Sequence, residues 1–146
     1  MRIGIVTGEY PPMQGGVGAY SHILAQTFAV QGHDVFVFSS DKTGENDPAI
    51  QLTNPVKRWR WGSLRAVKQW AQTQRLDVIN LQYQTAAFGM SPWIHFLPDY
   101  LREIPFVTTF HDLLFPYLFP KAGPLRDWIV MRLAGRNHRR FRSPKR

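Results

Sequence analysis

Gly15, Gly16 and Gly18 stand together at the start of a helical pattern, just beyond an apolar strand pattern. Glycines there let backbone N–H groups approach an anion, and the helix N-terminus adds partial positive charge. The chemistry this suits is the holding of a phosphate or a sugar. With Val17 between them, Gly15, Gly16, Val17 and Gly18 form a candidate backbone-contact loop. A dinucleotide fingerprint fits it poorly, because Ser21 stands where the third small residue belongs and the seven residues 9–15 separate Gly8 from Gly16. A phosphate loop is excluded, since no Gly-Lys-Ser/Thr occurs in the sequence. Glycines that serve only turning and close packing are the plainer alternative.

A second group of polar residues follows other apolar runs. His111 and Asp112 come directly after residues 105–110, Glu9 and Tyr10 after residues 2–8, and Gln82, Tyr83 and Gln84 after residues 76–81. Amide and phenol groups both donate and accept hydrogen bonds, which suits sugar hydroxyls. His22 and His95 fall inside helical patterns and read as structural. Lys57, Arg58, Trp59, Arg60 and Trp61, with Arg65, Lys68 and Trp70 beyond them, interleave cations and indoles. That mixture suits an anionic lipid surface. Its alternative is a solvated basic face with the tryptophans packed beneath.

Positioning these residues requires alternating strands and helices. Residues 2–8 read as a buried strand, 9–14 as a loop, and the segment from Gly15 to near Gly32 as a helix. Residues 33–40 form the next strand, giving a parallel strand–helix–strand unit with a right-handed crossover. Residues 41–54 are polar and read as a loop. The alternation over 56–61 predicts an edge strand. A helix then starts at Gly62-Ser63, with Leu64, Val67 and Ala71 on one face and Arg65, Lys68 and Gln72 on another. Residues 76–82 are a strand and 83–89 a loop. Ser91-Pro92 is a cap and first-turn pair for a helix that Pro98 should shorten. Residues 105–110 are the last predicted strand, followed by a proline-punctuated loop and a helix over 125–136. The fold class is therefore α/β: a Rossmann-like parallel sheet with helices on both faces. Ligands of such sheets bind beyond the carboxyl ends of the strands, where the candidate residues lie.

Composition fits a single globular domain over residues 1–136 with a basic tail over 137–146. The 146 residues are 44% hydrophobic and 14% aromatic, which is incompatible with a disordered chain. No cysteine is present, so disulfides and thiolate chemistry are excluded. No apolar run reaches the roughly 20 residues of a membrane span, and the N-terminus does not read as a signal peptide. A cytoplasmic protein is expected, with peripheral contact at the inner face of the membrane as an extension. The net charge of +8 is concentrated in the tail, whose Arg139, Arg140, Arg142, Lys145 and Arg146 face no acid. Without these five, 13 basic residues balance 10 acidic ones, so nucleic acid is not an expected partner.

The spaced set of motifs resembles the N-terminal domain of family 4 glycosyltransferases, which have the two-domain GT-B architecture. It comprises Glu9-Tyr10-Pro11-Pro12, then Gly15-Gly16-Val17-Gly18-Ala19-Tyr20, Leu24-Ala25 and Gly32-His33-Asp34-Val35. The set continues with Asp77-Val78-Ile79-Asn80 and with Val107-Thr108-Thr109-Phe110-His111-Asp112. The resemblance covers about residues 2–136 and is weakest over 41–62. It implies transfer of a hexose from a nucleotide-diphosphate sugar to an acceptor hydroxyl, with retention of configuration and without metal or other cofactor. Gly15, Gly16, Val17 and Gly18 would then lie against the donor diphosphate and the acceptor, where a helix start stabilises charge on the departing group. His111 would be the catalytic residue beside the transferred sugar. Glu9, Tyr10, Tyr83, Gln84 and Asp112 would contact the acceptor, a sugar or a lipid-linked sugar.

The chain also departs from that family. The glutamate pair of the donor-binding second domain, with seven residues between, cannot be drawn from Glu9, Glu45 and Glu103. The expectation is an incomplete acceptor-side half, inactive and weakly soluble alone, that binds donor only with a second domain. Its rivals are a non-catalytic carbohydrate-binding or regulatory module and a nucleic-acid-associated protein using the tail.

Overall fold

The computed structural model describes residues 1–40, 44 and 47–112, and every structural statement below concerns those residues. Five strands form one sheet: β1 (Arg2–Thr7), β2 (Asp34–Ser40), β3 (Ile50–Val56), β4 (Val78–Tyr83) and β5 (Phe106–Phe110). Their order is β3-β2-β1-β4-β5, and each neighbouring pair is parallel. The α/β reading of the sequence therefore holds. Helix α1 (Gly16–Val30) links β1 to β2, and α2 (Trp61–Thr73) links β3 to β4. After β4 a short 3-10 helix, Pro92–Phe96, runs into the single turn α3 (Leu97–Tyr100). Pro92 takes the first position of the former and Pro98 lies within the latter, so the expected shortening is realised.

Each face of the sheet has its own core. Beneath α1, Ile5, Val35, Val37 and Ile50 pack with Ala25 and Tyr10. On the other face Val6, Phe36, Phe38, Ile79 and Leu81 meet Leu64, Val67, Trp70 and Ala71 of α2, together with Ile94, Leu97 and Leu101. The predicted apolar stripe of α2 is thus the buried one. Gly32, just past α1, has φ +82°, the left-handed conformation that ends helices without a Cβ penalty.

One strand differs from expectation. β3 occupies Ile50–Val56, mostly within the predicted loop, and takes only Val56 from the predicted edge strand, of which residues 57–60 are coil and Trp61 already belongs to α2. Ile50 and Leu52 pair beside Val35 and Val37, and Ile50 adds to the α1 core. Pro55 is tolerated because it falls in the register irregularity of this edge strand, between the Phe38–Thr53 and Ser40–Val56 pairs. The helix expected over 125–136, the loop before it and the basic tail lie outside the described residues.

Candidate functional site

The strand order reverses between β1 and β4. At such a reversal the connections leave to opposite faces and open a crevice beyond the carboxyl ends. Gly8 and Glu9 leave β1 there, and residues 84–89 leave β4. The two connections touch: a Cβ on Gly8 would meet the Ala87 carbonyl oxygen at 2.1 Å, so only glycine fits. Glu9 then folds its carboxylate against Gly15, where a Cβ would stand 2.1 Å from Glu9 Oε2. Gly15 is the extended residue before α1, and Gly16 faces open space, with nothing within 4 Å of a Cβ. Val17 and Gly18 are buried; the Glu9–Tyr10 backbone passes 3.3 Å from a Cβ position on Gly18. Of the four loop residues, Gly15 and Gly16 are the accessible ones, and Val17 and Gly18 serve packing.

A cleft of about 570 Å³ opens at this edge. Glu9 and Ser40 line it from the ends of β1 and β2, Lys57, Arg58 and Arg60 from the segment after β3, and Trp93 from the connection after β4. Ser40 is anchored by its Oγ donating to the Gly8 carbonyl at 3.2 Å. Ser91, also lining the cleft, precedes the 3-10 helix as the sequence suggests, but its side chain makes no capping bond. Its Oγ is buried without a partner among the described residues.

His111 stands at the end of β5, outside the cleft's lining. Its N–H donates to the Tyr83 carbonyl at 3.0 Å, and its Nε2–H donates to Gln82 Oε1 at 2.7 Å. The ring meets Tyr20 of α1 edge-on, with centroids 5.0 Å apart. Burial holds its pKa below the ordinary 6.5, so the imidazole is neutral at pH 7. With the proton on Nε2, Nδ1 carries the lone pair and can accept from a hydroxyl. Gln82 is fully buried, and its Nε2 has no partner among the described residues.

Three candidate residues take structural places instead. Tyr10 is 1% exposed and packs under α1, its hydroxyl 3.1 Å from His22 Nδ1. Tyr83 is 4% exposed; its hydroxyl lies 3.0 Å from Thr85 Oγ1 and hydrogen-bonds His95 Nε2. A tyrosine ring is mostly apolar, so a loop tyrosine sinks inward once its hydroxyl finds a partner there. Burial raises the Tyr83 pKa above the usual 10.0, with the charge of Asp112 a lesser contributor. Trp59 is 9% exposed and wedged edge-on against Phe38 and Phe88, so it is no surface residue. Lys57, Arg58, Arg60 and Trp61 do reach solvent, and Trp61 crosses Trp93 at 5.6 Å between centroids. Gln84 and Asp112 are half-buried at the ends of β4 and β5.

Ser40, Ser91 and Trp93 escaped the sequence reading as cleft residues. Ser40 could have been found from its place at a strand's carboxyl end, whereas nothing in the sequence marks Trp93. Among the described residues no three His, Asp or Glu side chains gather as metal ligands, and no helix is long and apolar enough to cross a membrane.

No match to this chain is found among curated proteins. The family model of Glycosyltransferase Family 4 matches residues 14–143. That span takes in α1 with its glycine start, the sheet from β2 to β5, and His111. Most of the sequence falls within it, and the all-parallel Rossmann-like sheet agrees with it: the chain belongs to Glycosyltransferase Family 4, as an N-terminal domain of that family.

Proposed function

We propose that this chain is the acceptor-side half of a transferase that moves a hexose from a nucleotide-diphosphate sugar to an acceptor hydroxyl with retention. The observation that carries the reading is the contact between Tyr20 of α1 and the His111 ring, 5.0 Å between centroids. It brings the glycine-started helix and the strand-end histidine to one sheet edge. A helix start stabilises negative charge on a departing diphosphate, and a neutral histidine beside it can accept a hydrogen bond from a sugar hydroxyl. Gly15 and Gly16 would supply the close backbone approach. Glu9, in the adjoining cleft, would hold an acceptor hydroxyl as a hydrogen-bond acceptor. Donor binding and catalysis need a second domain, so the chain alone would transfer nothing.

The test is to express the chain by itself and together with whatever coding sequence follows it, and to assay hexose transfer from UDP- and GDP-sugars. Transfer that requires the longer product and is lost in His111→Ala supports the proposal. Sugar binding by the chain that added nucleotide sugar leaves unchanged, with no transfer in either case, would instead favour a non-catalytic carbohydrate-binding module.

A further inference from the structure

Glu9 is the cleft's one carboxylate among the described residues, and Lys57, Arg58 and Arg60 line the same cleft. Charge alone would turn Glu9 toward those cations. It makes no ion pair with any described residue. Its carboxylate lies instead over Gly15, where a Cβ would stand 2.1 Å from Oε2 and 2.9 Å from Cδ. What favours that place is the start of α1. The 15-residue helix has no acid in its first turn, and its cap residue, Gly15, supplies no side-chain bond. The Ala19 N–H donates to the Gly15 carbonyl at 3.1 Å, so the N–H groups of Gly16, Val17 and Gly18 before it have no acceptor within the helix. A carboxylate set there answers the partial positive charge.

The backbone beneath this side chain is fixed. Thr7 Oγ1 donates to the Glu9 carbonyl at 2.8 Å and accepts from the Glu9 N–H at 3.4 Å. A Cβ position on Gly18 lies 3.3 Å from the Glu9 carbonyl carbon, and Gly8 is held under the Ala87 carbonyl. Any change at this corner is therefore a rotation about the side-chain bonds of Glu9. Turning the other way carries the carboxylate into the cleft, toward the three cations. Ser91 Oγ lines that cleft too, buried without a partner among the described residues. Such an orphaned hydroxyl marks a place where a polar ligand belongs. A carboxylate has lone pairs enough to meet a cation and accept from a sugar hydroxyl at once.

We infer that Glu9 is a two-position carboxylate that couples the start of α1 to the cleft. It holds the helix start until a diphosphate takes that place, and like charge then turns it into the cleft, where it receives an acceptor hydroxyl. The inference rests on the proposed function for the two ligands and on the geometry of Glu9 for the exchange. Because coupling is reciprocal, each ligand tightens the other by the same factor. A helix start favours a carboxylate by a population ratio of about two to five, so releasing it should tighten binding about three- to sixfold.

The sequence contains only three glutamates, Glu9, Glu45 and Glu103, so NMR of the full chain with carboxyl-labelled glutamate gives three signals, and Glu9→Gln identifies its own. Inorganic pyrophosphate is titrated in, with the Gly16 amide reporting on the helix start, and glucose, mannose and galactose are titrated with and without it. The Glu9 signal should move together with the Gly16 amide. Gly15→Ala should move that signal the same way without pyrophosphate, because the extended backbone at φ −170° accepts a methyl that evicts the carboxylate. Glu9→Asp keeps the charge but falls one methylene short of Gly15, and should bind pyrophosphate about three- to sixfold more tightly than wild type. Pyrophosphate should tighten hexose binding by the same factor in wild type and not in Glu9→Gln. Retention of the wild-type circular dichroism spectrum establishes that each variant is folded. Exchange of the carboxylate without binding of any hexose supports the two positions and removes the acceptor-side reading. Hexose binding that pyrophosphate leaves unchanged in wild type overturns the coupling while leaving that reading intact. A Glu9 signal that stays while Gly16 moves, equal pyrophosphate affinity in wild type and Glu9→Asp, or a Gly16 amide that pyrophosphate never moves overturns it as well.

Discussion

Tyr83→Phe deletes one oxygen atom from a chain of hydrogen bonds whose proton directions the structure determines. His95 Nδ1 lies 2.9 Å from the Pro92 carbonyl, which can only accept, so Nδ1 carries the proton and Nε2 the lone pair. Tyr83 therefore donates to His95 Nε2 and accepts from Thr85 Oγ1 at 3.0 Å. Burial holds His95 below its ordinary 6.5, which keeps the ring in this neutral form. Phenylalanine preserves the ring's packing on Phe88 and Phe110 but removes both bonds. At about 0.5–1.5 kcal/mol for each bond, the loss is about 2 kcal/mol. That is roughly a 30-fold change in the folding equilibrium and, for an m-value near 2 kcal/mol/M, a midpoint shift of about 1 M urea. Far-UV circular dichroism in a urea series is the assay, because it is blind to local changes at the tryptophans. In a double-mutant cycle with His95→Phe the two sites should couple by at least about 0.5 kcal/mol. A midpoint shift below about 0.2 M, or strict additivity with His95→Phe, would refute the assigned directions. The outcome bears on the cleft, because this strut ties the end of β4 to the connection that carries Ser91 and Trp93.

Further expectations follow from single contacts. Gly8→Ala drives a methyl into the Ala87 carbonyl and should cost about 1–3 kcal/mol by urea unfolding, beyond any gain from a stiffer unfolded chain. Gln82→Met removes the bond to His111 together with a buried amide nitrogen that has no partner, so stability should change by less than about 1 kcal/mol. In the same variant, NMR titration should lose the preference of the His111 proton for Nε2. Both His95 and His111 have folded-state pKa values depressed by burial, so the unfolded chain binds protons first on acidification. Their contribution should be complete above pH 6.5 and decline as the pH falls below it, seen as a falling urea midpoint. Tyr83 is raised instead, so its contribution is complete below pH 10.0 and should fade above it.

Much of the scaffold was legible because its signals are local. The apolar runs at β1, β2, β4 and β5, the amphipathic stripe of α2 and the glycine start of α1 each follow from a few neighbouring residues. β3 was not legible: Asn54 and Pro55 weaken its pattern, and its stability comes from pairing with β2 and from Ile50 under α1. Residues 57–61 looked like a strand because cations and indoles alternate there. In the folded chain Trp59 turns inward between Phe38 and Phe88, and Trp61 turns outward from the first turn of α2. The site divides along the same line. His111 and the glycines occupy strand and helix ends that the sequence marks, so their shared edge was foreseeable. Tyr10 and Tyr83 are decided by distant partners, His22 and His95, which no short window contains.

The placement of β4 beside β1 bears on the order in which the molecule assembles. Arg2 reaches Asp34 across 32 residues of chain but reaches Asp77 across 75. Closing the longer loop costs about 0.75 kcal/mol more in chain entropy, and its enclosed β3 and α2 must be accommodated at the same time. β1, α1 and β2 can therefore form a nucleus first, with β4 joining later. We expect φ-values near 0.5 or above for Val35→Ala and Ala25→Gly, and below 0.3 for Ile79→Val and Leu81→Ala. The reverse ranking would discard this order. In this sequence of events the crevice between β1 and β4 is absent from the nucleus and is created by the last strands to arrive. Substitutions within that crevice should then alter the unfolding rate while leaving the folding rate largely unchanged.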